Sequence, residues 1–343
     1  MRPANESGTD VPKGLEGVVV AETSVGDVRG VEGFYHYRQY SAVELASARS
    51  FEVVWYLLVE GTLPGPAEAD AFRERVRSTR ALPDGLNRLL PAMAGAGTPL
   101  EVLRSAVSLL GAELGWPPTH DVRRPELVGQ SLQLGACVPT ILAAAHRIRL
   151  GRPPVEPRAD LGHAANYLWM LRGEEPTAEE AEAIEQYMVL TIDHGFNAST
   201  FVARTITSTG ADLASAVCGA IGALSGPLHG GAPSRALEMV DAIGTPERAR
   251  PWLEEAISRG DRIMGFGHRV YKTDDPRSAF LREKARALGG PTAELAAEIE
   301  RTVLEVLHEL KPGRRLYTNV EFYAGVVMDA CGIPREMFTP TFA

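Results

Sequence analysis

The chain has 343 residues, of which 45% are hydrophobic and 23% charged. These are the proportions of an ordinary globular protein, and the length suffices for two domains or for one large body with a lid. The net charge of −9 excludes a general affinity for nucleic acids or anionic membranes, since both attract basic surfaces. An anionic ligand would therefore need a local basic cluster.

The sequence predicts neither a secretory signal peptide nor a membrane-spanning segment. The first 13 residues are polar and contain no apolar segment, so no signal peptide is expected. The longest apolar stretch, near 136–145, is too short to span a bilayer. The three cysteines, Cys137, Cys218 and Cys331, are far apart in apolar surroundings. They predict buried free thiols in a reducing compartment, and hence a cytoplasmic protein.

The N-terminal region combines one β-like run with the first helices. The run from Leu15 to Val28 is interrupted by Gly17 and Gly26, and it predicts one small hairpin. Ser41 precedes the first helical pattern, and the segment FEVVWYLLVEG ends on Gly61 as a helix C-cap.

Helical patterns fill the rest of the chain. Apolar residues recur at spacings of three and four, as in amphipathic or buried helices. These helices are predicted over 100–114, 126–150, 177–192 and 211–224. Later helices have proline near the first turn, where its missing N–H costs nothing. They are predicted over 233–242, 246–258, 276–288 and 291–310. The fold class is therefore all-α with a short N-terminal β-hairpin.

Three of the eight histidines lie beside glycines between helices. They are His194 in DHGFNAST, His229 in GPLHGGA and His268 in GFGHRVYKTDDPR. Glycine lets backbone amides and a ligand approach the imidazole, and it suits a hinge. The three are far apart in sequence and lack a local partner such as HxxxH or CxxC, so no metal site is predicted.

A basic group follows His268. Its members are Arg269, Lys272, Arg277, Arg314 and Arg315. One interpretation is a solvated charged face. The other is a ligand site, because arginine suits bidentate carboxylate recognition and lysine suits the diffuse charge of phosphate. A small dicarboxylate and a phosphorylated carrier would use both.

An acid among apolar residues completes the set. Glu321 in TNVEFYAG lies near a helix start, where the helix dipole favours an acid, and burial beside Phe322 and Tyr323 would raise its pKa. Together these residues suit removal of a proton next to a carbonyl by a carboxylate, with a histidine stabilising the enolate and arginine holding a second substrate. Spacing alone does not select this reaction over others.

Four segments, in this order, resemble the citrate synthase family. They are GLEGVVVAET with FEVVWYLLVEGTLP, DHGFNAST, SGPLHGGAP, and MGFGHRVYKTDDPR followed by LYTNVEFYAGVVMDACGIPREMFTP. The resemblance covers the chain from about Gly14 onward. MGFGHRVYK with DPR, paired with PLHGGA upstream, is highly specific to the family.

The resemblance implies a role for each matching residue. His229 would stabilise the acyl-CoA enolate, His268 would polarise the oxo-acid carbonyl, and Glu321 would be the catalytic base. The oxo acid would be bound by His194, Asn197 and Arg277. The CoA site would be lined by Arg269, Lys272, Arg314, Arg315 and Asn319.

The resemblance also implies an architecture and a reaction. We expect a large helical domain formed by 1–230 and 332–343, and a small lid domain formed by 231–331. Family members are homodimers whose sites borrow residues across the interface. The implied reaction condenses acetyl-CoA or propionyl-CoA with oxaloacetate and water, giving citrate or 2-methylcitrate and CoA. CoA thioester enters as substrate, and no other cofactor is implied.

The sequence departs from the family pattern at three places. The usual aspartate of NVDFYSG is Glu321, and YRGY reads YRQY with Gln39. The chain ends at Ala343, before the segment that in the family supplies a second substrate arginine. Two interpretations therefore stay open: an active condensing enzyme, or a truncated or silent relative that binds CoA or oxo acid or pairs with a complete subunit.

Overall fold

The computed structural model describes residues 17–226, 229–230, 232–268, 270–311, 313 and 316–343. Within them the fold is helical, with one small N-terminal sheet, which confirms the predicted fold class. The helices are α1 (Ala42–Ala48), α2 (Phe51–Glu60), α3 (Pro66–Ser78), α4 (Asp84–Ala94), α5 (Pro99–Glu113), α6 (Arg124–Arg149), α7 (His163–Arg172), α8 (Ala178–Thr191), α9 (Ala198–Thr207), α10 (Leu213–Leu224), α11 (Ala232–Ile243), α12 (Pro246–Ser258), α13 (Pro276–Leu288), α14 (Pro291–Leu310), α15 (Val320–Ala330) and α16 (Phe338–Phe342).

The sheet lies further along the chain than predicted. Strands β1 (Gly26–Arg29), β2 (Phe34–Tyr37) and β3 (Tyr40–Ser41) pair antiparallel in chain order. The predicted run 15–28 overlaps the sheet only at 26–28, and its residues 15–16 lie outside the described part of the chain. Residues 18–23 form no strand, and Val18, Val19 and Val20 among them are exposed. In β2, Tyr35 and Tyr37 share one face and are both buried, as the period of two requires.

Local signals placed many helix ends correctly. The Ser41 hydroxyl accepts a hydrogen bond from the Glu44 N–H at the start of α1. Gly61 ends α2 in the left-handed conformation, with φ of 90°. The predicted bounds of α12, α13 and α14 agree with the structure. Helices α3, α4, α7 and α9 were not predicted; α9 is short and buries none of its residues within a single chain.

Helix α6 runs through the core. The apolar stretch near 136–145 belongs to this helix of 26 residues, which by length and composition alone could cross a membrane. However, 56% of its most apolar window is buried inside the protein, as in a core helix. Helices α4, α5 and α7 pack against it.

The cysteines are free, as predicted. Cys137 and Cys331 are buried, but the expectation of a buried thiol is wrong for Cys218. Its side chain is partly exposed on α10, where the thiol donates a hydrogen bond to the Arg104 carbonyl.

Helix α15 is the centre of the C-terminal half. It packs against α8, α11, α13 and α14, and Val326, Val327 and Met328 along it are fully buried. This packing fixes the N-terminal end of α15, which carries Glu321. The division into a large domain and a lid at 231–331 stays a prediction.

A two-segment joint, made of residues 265–267 and 317–319, connects the His268 loop to α15. The segments are paired by an isolated antiparallel β-bridge. Gly265 has φ of +82°, and a Cβ built on it would lie 2.8 Å from the Cβ of Phe322. Only glycine therefore satisfies both the backbone conformation and the close packing at this point.

Candidate active site

The backbone fixes the tautomer of His268. Its Nδ1 accepts hydrogen bonds from the N–H groups of Val270 (2.9 Å) and Tyr271 (3.1 Å). A ring nitrogen that accepts from an amide carries no proton, so Nε2 is the protonated nitrogen of the neutral ring. Burial, assisted by the charge of Arg277, lowers the pKa of His268 to about 4. His268 is therefore a neutral N–H donor at physiological pH.

Asp275 and Arg277 form a buried bidentate ion pair at the start of α13. Arg277 Nε donates to Asp275 Oδ1 (3.0 Å) and Nη2 donates to Oδ2 (2.8 Å). Burial opposes the guanidinium charge, but the Asp275 carboxylate outweighs it and raises the pKa of Arg277. Nη2 also lies 3.5 Å from His268 Nε2. Two donors thus converge on one point, as a substrate oxygen would require.

His194 completes this group. Its Nε2 lies 3.1 Å from the Tyr271 hydroxyl, and its ring centroid is 5.8 Å from that of His268. Burial lowers the pKa of His194 to about 3, assisted by the charge of Arg277. We refer to His194, His268 and Arg277 as the donor cluster. The cluster combines one fixed positive charge with two neutral imidazoles.

Glu321 lies in the first turn of α15, next to the donor cluster. Its backbone N–H donates to the Asn319 side-chain oxygen (3.0 Å), which caps the helix. Burial raises the pKa of Glu321 to about 7, although Arg277 opposes the shift. Asp275 Oδ2 accepts a hydrogen bond from the Val320 N–H (3.2 Å), so the ion pair is tied to the same helix turn. The counter-ion of Arg277 is thus bonded to the helix turn that carries Glu321.

His229 is oriented by the start of α9. Its Nε2 accepts a hydrogen bond from the Ser199 backbone N–H (3.3 Å), and the Ser199 hydroxyl lies 3.0 Å away. Because Nε2 is an acceptor from an amide, Nδ1 carries the proton of the neutral ring. Burial lowers the pKa of His229. His229 is thus a second neutral donor, held separately from the donor cluster.

The asparagines have structural contacts beside their predicted roles. Asn197 caps α9, accepting from the Thr200 N–H (2.9 Å) and the Ser199 hydroxyl (2.8 Å). Asn319 uses both side-chain polar groups, since its amide also donates to the Gly267 carbonyl (2.9 Å) within the joint. Their assignment to substrate binding stays a prediction.

The predicted CoA site is only partly described. Lys272 is exposed in the loop after His268, where its backbone N–H donates to the Gly30 carbonyl (2.9 Å). The other basic members, Arg269, Arg314 and Arg315, lie outside the described residues. Binding of CoA by these residues remains a prediction.

Three residues at the site were not identified from the sequence. Asp275 lies within a quoted motif and was given no role, although an aspartate before proline at a predicted helix start is a capping position that can be buried. Tyr271 and Ser199 lie within the quoted motifs, but nothing in their spacing showed that they touch His194 and His229.

A cavity of about 470 Å³ borders the C-terminal end of α8. It is mostly apolar and is lined in part by Trp55, His163, Tyr167 and residues 340–343. None of the predicted site residues lines it, so the chemistry discussed below does not depend on it. Within the described part of the chain, no cluster of three or more His, Cys, Asp or Glu side chains is arranged to hold a metal ion.

The chain is similar to known proteins over almost its whole length. Residues 14–343 match the family described as citrate synthase, C-terminal domain. A citrate synthase of Deinococcus radiodurans is 38% identical over 98% of this chain and 89% of its own length. A 2-methylcitrate synthase of Mycobacterium tuberculosis is 38% identical over 99% of this chain and 85% of its own length.

Solved structures give the same result. The citrate synthase of Pyrobaculum aerophilum superposes with a TM-score of 0.87 at 37% identity, covering 96% of this chain and 84% of that one. The citrate synthase of Thermoplasma acidophilum, solved in a ternary complex with carboxymethyl coenzyme A and oxaloacetate, superposes with a TM-score of 0.89 at 27% identity over 97% and 88% of the two chains. The chain therefore belongs to the citrate synthase family of enzymes.

Proposed function

We propose that this protein condenses an acyl-CoA with oxaloacetate and water, giving citrate or 2-methylcitrate and CoA. The observation that carries the proposal is the hydrogen bonding of Asp275. It accepts from Arg277 and from the Val320 N–H, so the donor cluster for an oxo acid and the Glu321 base are fixed to each other. A carboxylate with a pKa near neutrality beside preorganised donors suits abstraction of a proton next to a carbonyl.

The acyl-CoA half of the reaction uses Glu321 and His229. The Glu321 carboxylate removes a proton from the carbon next to the thioester carbonyl. Negative charge develops on the carbonyl oxygen, and the Nδ1–H of neutral His229 donates a hydrogen bond to it. The Ser199 N–H on the opposite ring nitrogen keeps this proton on Nδ1. A neutral donor stabilises the enolate without protonating it fully.

The oxo-acid half uses the donor cluster. Arg277 pairs with a carboxylate of oxaloacetate, and the Nε2–H of His268 polarises the keto carbonyl. The enolate carbon attacks that carbonyl carbon, forming a carbon–carbon bond, and His268 donates its proton to the new alkoxide. Water then cleaves the thioester, so the acyl carbon becomes a carboxylate and CoA leaves as the thiol.

The acyl group is acetyl or propionyl. Relatives named for each activity are equally similar to this chain, at 38% identity. A pocket discriminates against one methylene by only about 1–3 kcal/mol. The reaction proposed here is therefore common to both, and their relative rates must be measured.

We also propose a cytoplasmic homodimer. Helix α9 buries none of its residues within a single chain, and Phe201 on it is 37% exposed. A second copy packed on α9 would cover this side chain and hold the Asn197–Ser199 turn that orients His229. Light scattering on the purified protein should give twice the mass of the chain, and a monomer at micromolar concentration would contradict this.

The proposed function is tested by thiol release. Acetyl-CoA and propionyl-CoA are each incubated with the purified chain, with and without oxaloacetate, and free CoA is measured. We expect release only when oxaloacetate is present, and the ratio of the two rates identifies the preferred acyl group. If no release occurs but oxaloacetate still binds calorimetrically, the chain is the silent relative that the sequence left open.

Replacing His229 tests the enolate donor. His229→Asn should lower kcat by about 10²–10³-fold, because one preorganised hydrogen bond to the developing oxyanion is lost. His308→Asn changes an exposed histidine near the end of α14 and is the matched control, with an activity near wild type. Turnover of His229→Asn within threefold of wild type would remove His229 from the mechanism.

A further inference from the structure

The hairpin formed by β1 and β2 of the N-terminal sheet contributes Tyr35 to the active site. This residue is 3% exposed and belongs to β2. Its hydroxyl donates to the Leu190 carbonyl (2.8 Å) and also lies within hydrogen-bonding distance of the Asp193 carbonyl, directly before His194. The side chain therefore spans the distance from the hairpin to the segment that carries His194.

The ring of Tyr35 contacts two members of the donor cluster. Its centroid is 5.1 Å from that of His194, with the planes tilted by 60°. The Arg277 guanidinium carbon lies 5.8 Å from the Tyr35 centroid and 5.7 Å from the Tyr271 centroid. The guanidinium is thus near the rings of two tyrosines, which attract a cation through their negative faces.

The ion pair alone leaves part of Arg277 unconstrained. Asp275 engages Nε and Nη2, while Nη1 makes no hydrogen bond to any described residue. A carboxylate bound by this arginine would need the plane of the guanidinium to be fixed before it arrives. The two rings restrict that plane. Tyr271 belongs to the His268 loop, and Tyr35 comes from a distant part of the chain.

We infer that Tyr35 is a positioning residue for the oxo acid, which holds Arg277 and His194 in the geometry that receives its carboxylate. The inference rests on the proposed function and assigns the hairpin a part in recognition of one substrate only. Among the described residues, Tyr35 makes no hydrogen bond or ring contact with His229 or Glu321, which act on the acyl-CoA. Loss of the ring should therefore weaken the binding of oxaloacetate and leave the binding of acyl-CoA unaffected.

Three variants separate the ring from the hydroxyl. Tyr35→Met removes the aromatic face and keeps a side chain of similar length, and Tyr35→Phe removes only the hydroxyl. Tyr40→Phe, on the adjacent strand β3, is the control, since among the described residues Tyr40 makes no hydrogen bond or ring contact with Tyr35 or the donor cluster. Tyr37 is unsuitable, because its hydroxyl hydrogen-bonds to that of Tyr35 (2.5 Å). Oxaloacetate binding is measured by calorimetry, and KM for both substrates and kcat are measured by thiol release.

We expect Tyr35→Met to raise the Kd and KM of oxaloacetate by about tenfold, a loss typical of a buried cation–π contact. KM for acyl-CoA and kcat at saturating oxaloacetate should stay within about twofold. Tyr35→Phe should bind oxaloacetate within about threefold of wild type, and Tyr40→Phe should match wild type. Unchanged oxaloacetate binding in Tyr35→Met, or an equal rise of both KM values, would overturn the inference.

A second series does not depend on the folding of Tyr35→Met. Phenylalanine analogues with increasing numbers of fluorine atoms at position 35 keep the ring shape and weaken its negative face. The Kd of oxaloacetate should rise stepwise along the series, and a flat series would overturn the inference. Failure of the proposed function is distinguishable, because the wild-type protein itself would then bind no oxaloacetate.

Discussion

Glu321→Gln should abolish condensation while oxaloacetate still binds. Glutamine has nearly the same shape but cannot accept the proton from the acyl carbon, so kcat should fall by about 10²–10⁴-fold. The donor cluster is untouched, and the Kd of oxaloacetate should stay within about threefold. Thiol release gives the first quantity and calorimetry the second. Turnover equal to wild type would show that another group is the base.

The control for this variant is Glu294→Gln. Glu294 occupies the first turn of α14, as Glu321 does in α15, but it is exposed. It therefore shares the helix-dipole interaction and lacks the surroundings of the active site. Near-normal turnover in Glu294→Gln would show that the effect at Glu321 is not a general consequence of removing a first-turn acid.

Glu321→Gln should also change how the free energy of unfolding depends on pH. Burial raises the pKa of Glu321 from 4.5 to about 7, so the folded state binds this proton more tightly than the unfolded state. The cost of ionising the buried carboxylate therefore develops as pH rises from about 4.5 to about 7, and it reaches about 3 kcal/mol in free energy of unfolding. Glu321→Gln should exceed wild type in free energy of unfolding by about this amount at pH 8, and the gain should disappear near pH 4. Urea unfolding at the two pH values measures it.

Asp275→Asn should be the most destabilising single change at the site. It leaves Arg277, which is 4% exposed, as a buried cation without a counter-ion. Removing one partner of a buried ion pair costs about 3–5 kcal/mol in free energy of unfolding. The lost hydrogen bond to the Val320 N–H adds to the cost. Urea unfolding at pH 7 measures the loss, and KM for oxaloacetate should rise in the same variant.

Asp274→Asn is the matched control, because Asp274 is the adjacent exposed residue. Its unfolding free energy should agree with wild type within about 0.5 kcal/mol.

The contribution of the ion pair to stability depends on pH. Arg277 outweighs burial and lowers the pKa of Asp275. The pair therefore stabilises the fold above the ordinary pKa range of aspartate, and this stabilisation is lost as pH falls through the lowered pKa. A loss below 1 kcal/mol at pH 7 in Asp275→Asn would contradict the prediction.

The sequence predicted the elements whose signals are local. Helices α12 to α14 have proline in the first turn, and their bounds agree with the structure. The hairpin was placed too early because three consecutive valines resemble a strand, whereas pairing depends on a partner that residues 18–23 lack. The short helix α9 was not predicted. It packs against α10, and the spacing of apolar residues does not reveal such a tertiary contact.

The sequence predicted which residues belong to the site but not how they are oriented. Motifs identified His194, His268 and Arg277, and the structure brings these three together. The tautomers of His229 and His268 depend on backbone N–H groups whose positions no sequence pattern states. The contact of Tyr35 with Arg277 joins residues on a hairpin and a distant helix, so it required the tertiary structure.

The two-segment joint has a consequence for the order of folding. Its hydrogen bond from Asn319 to Gly267 joins positions 52 residues apart, with α13 and α14 in between. Closing a loop of this length costs chain entropy, and this cost arises before the short bridge can stabilise the closed loop. We expect the intervening helices to form first and the joint late. A collapsed intermediate rich in helix would then still have His268 and Glu321 apart, and the protein would acquire its catalytic geometry only in the last stage of folding.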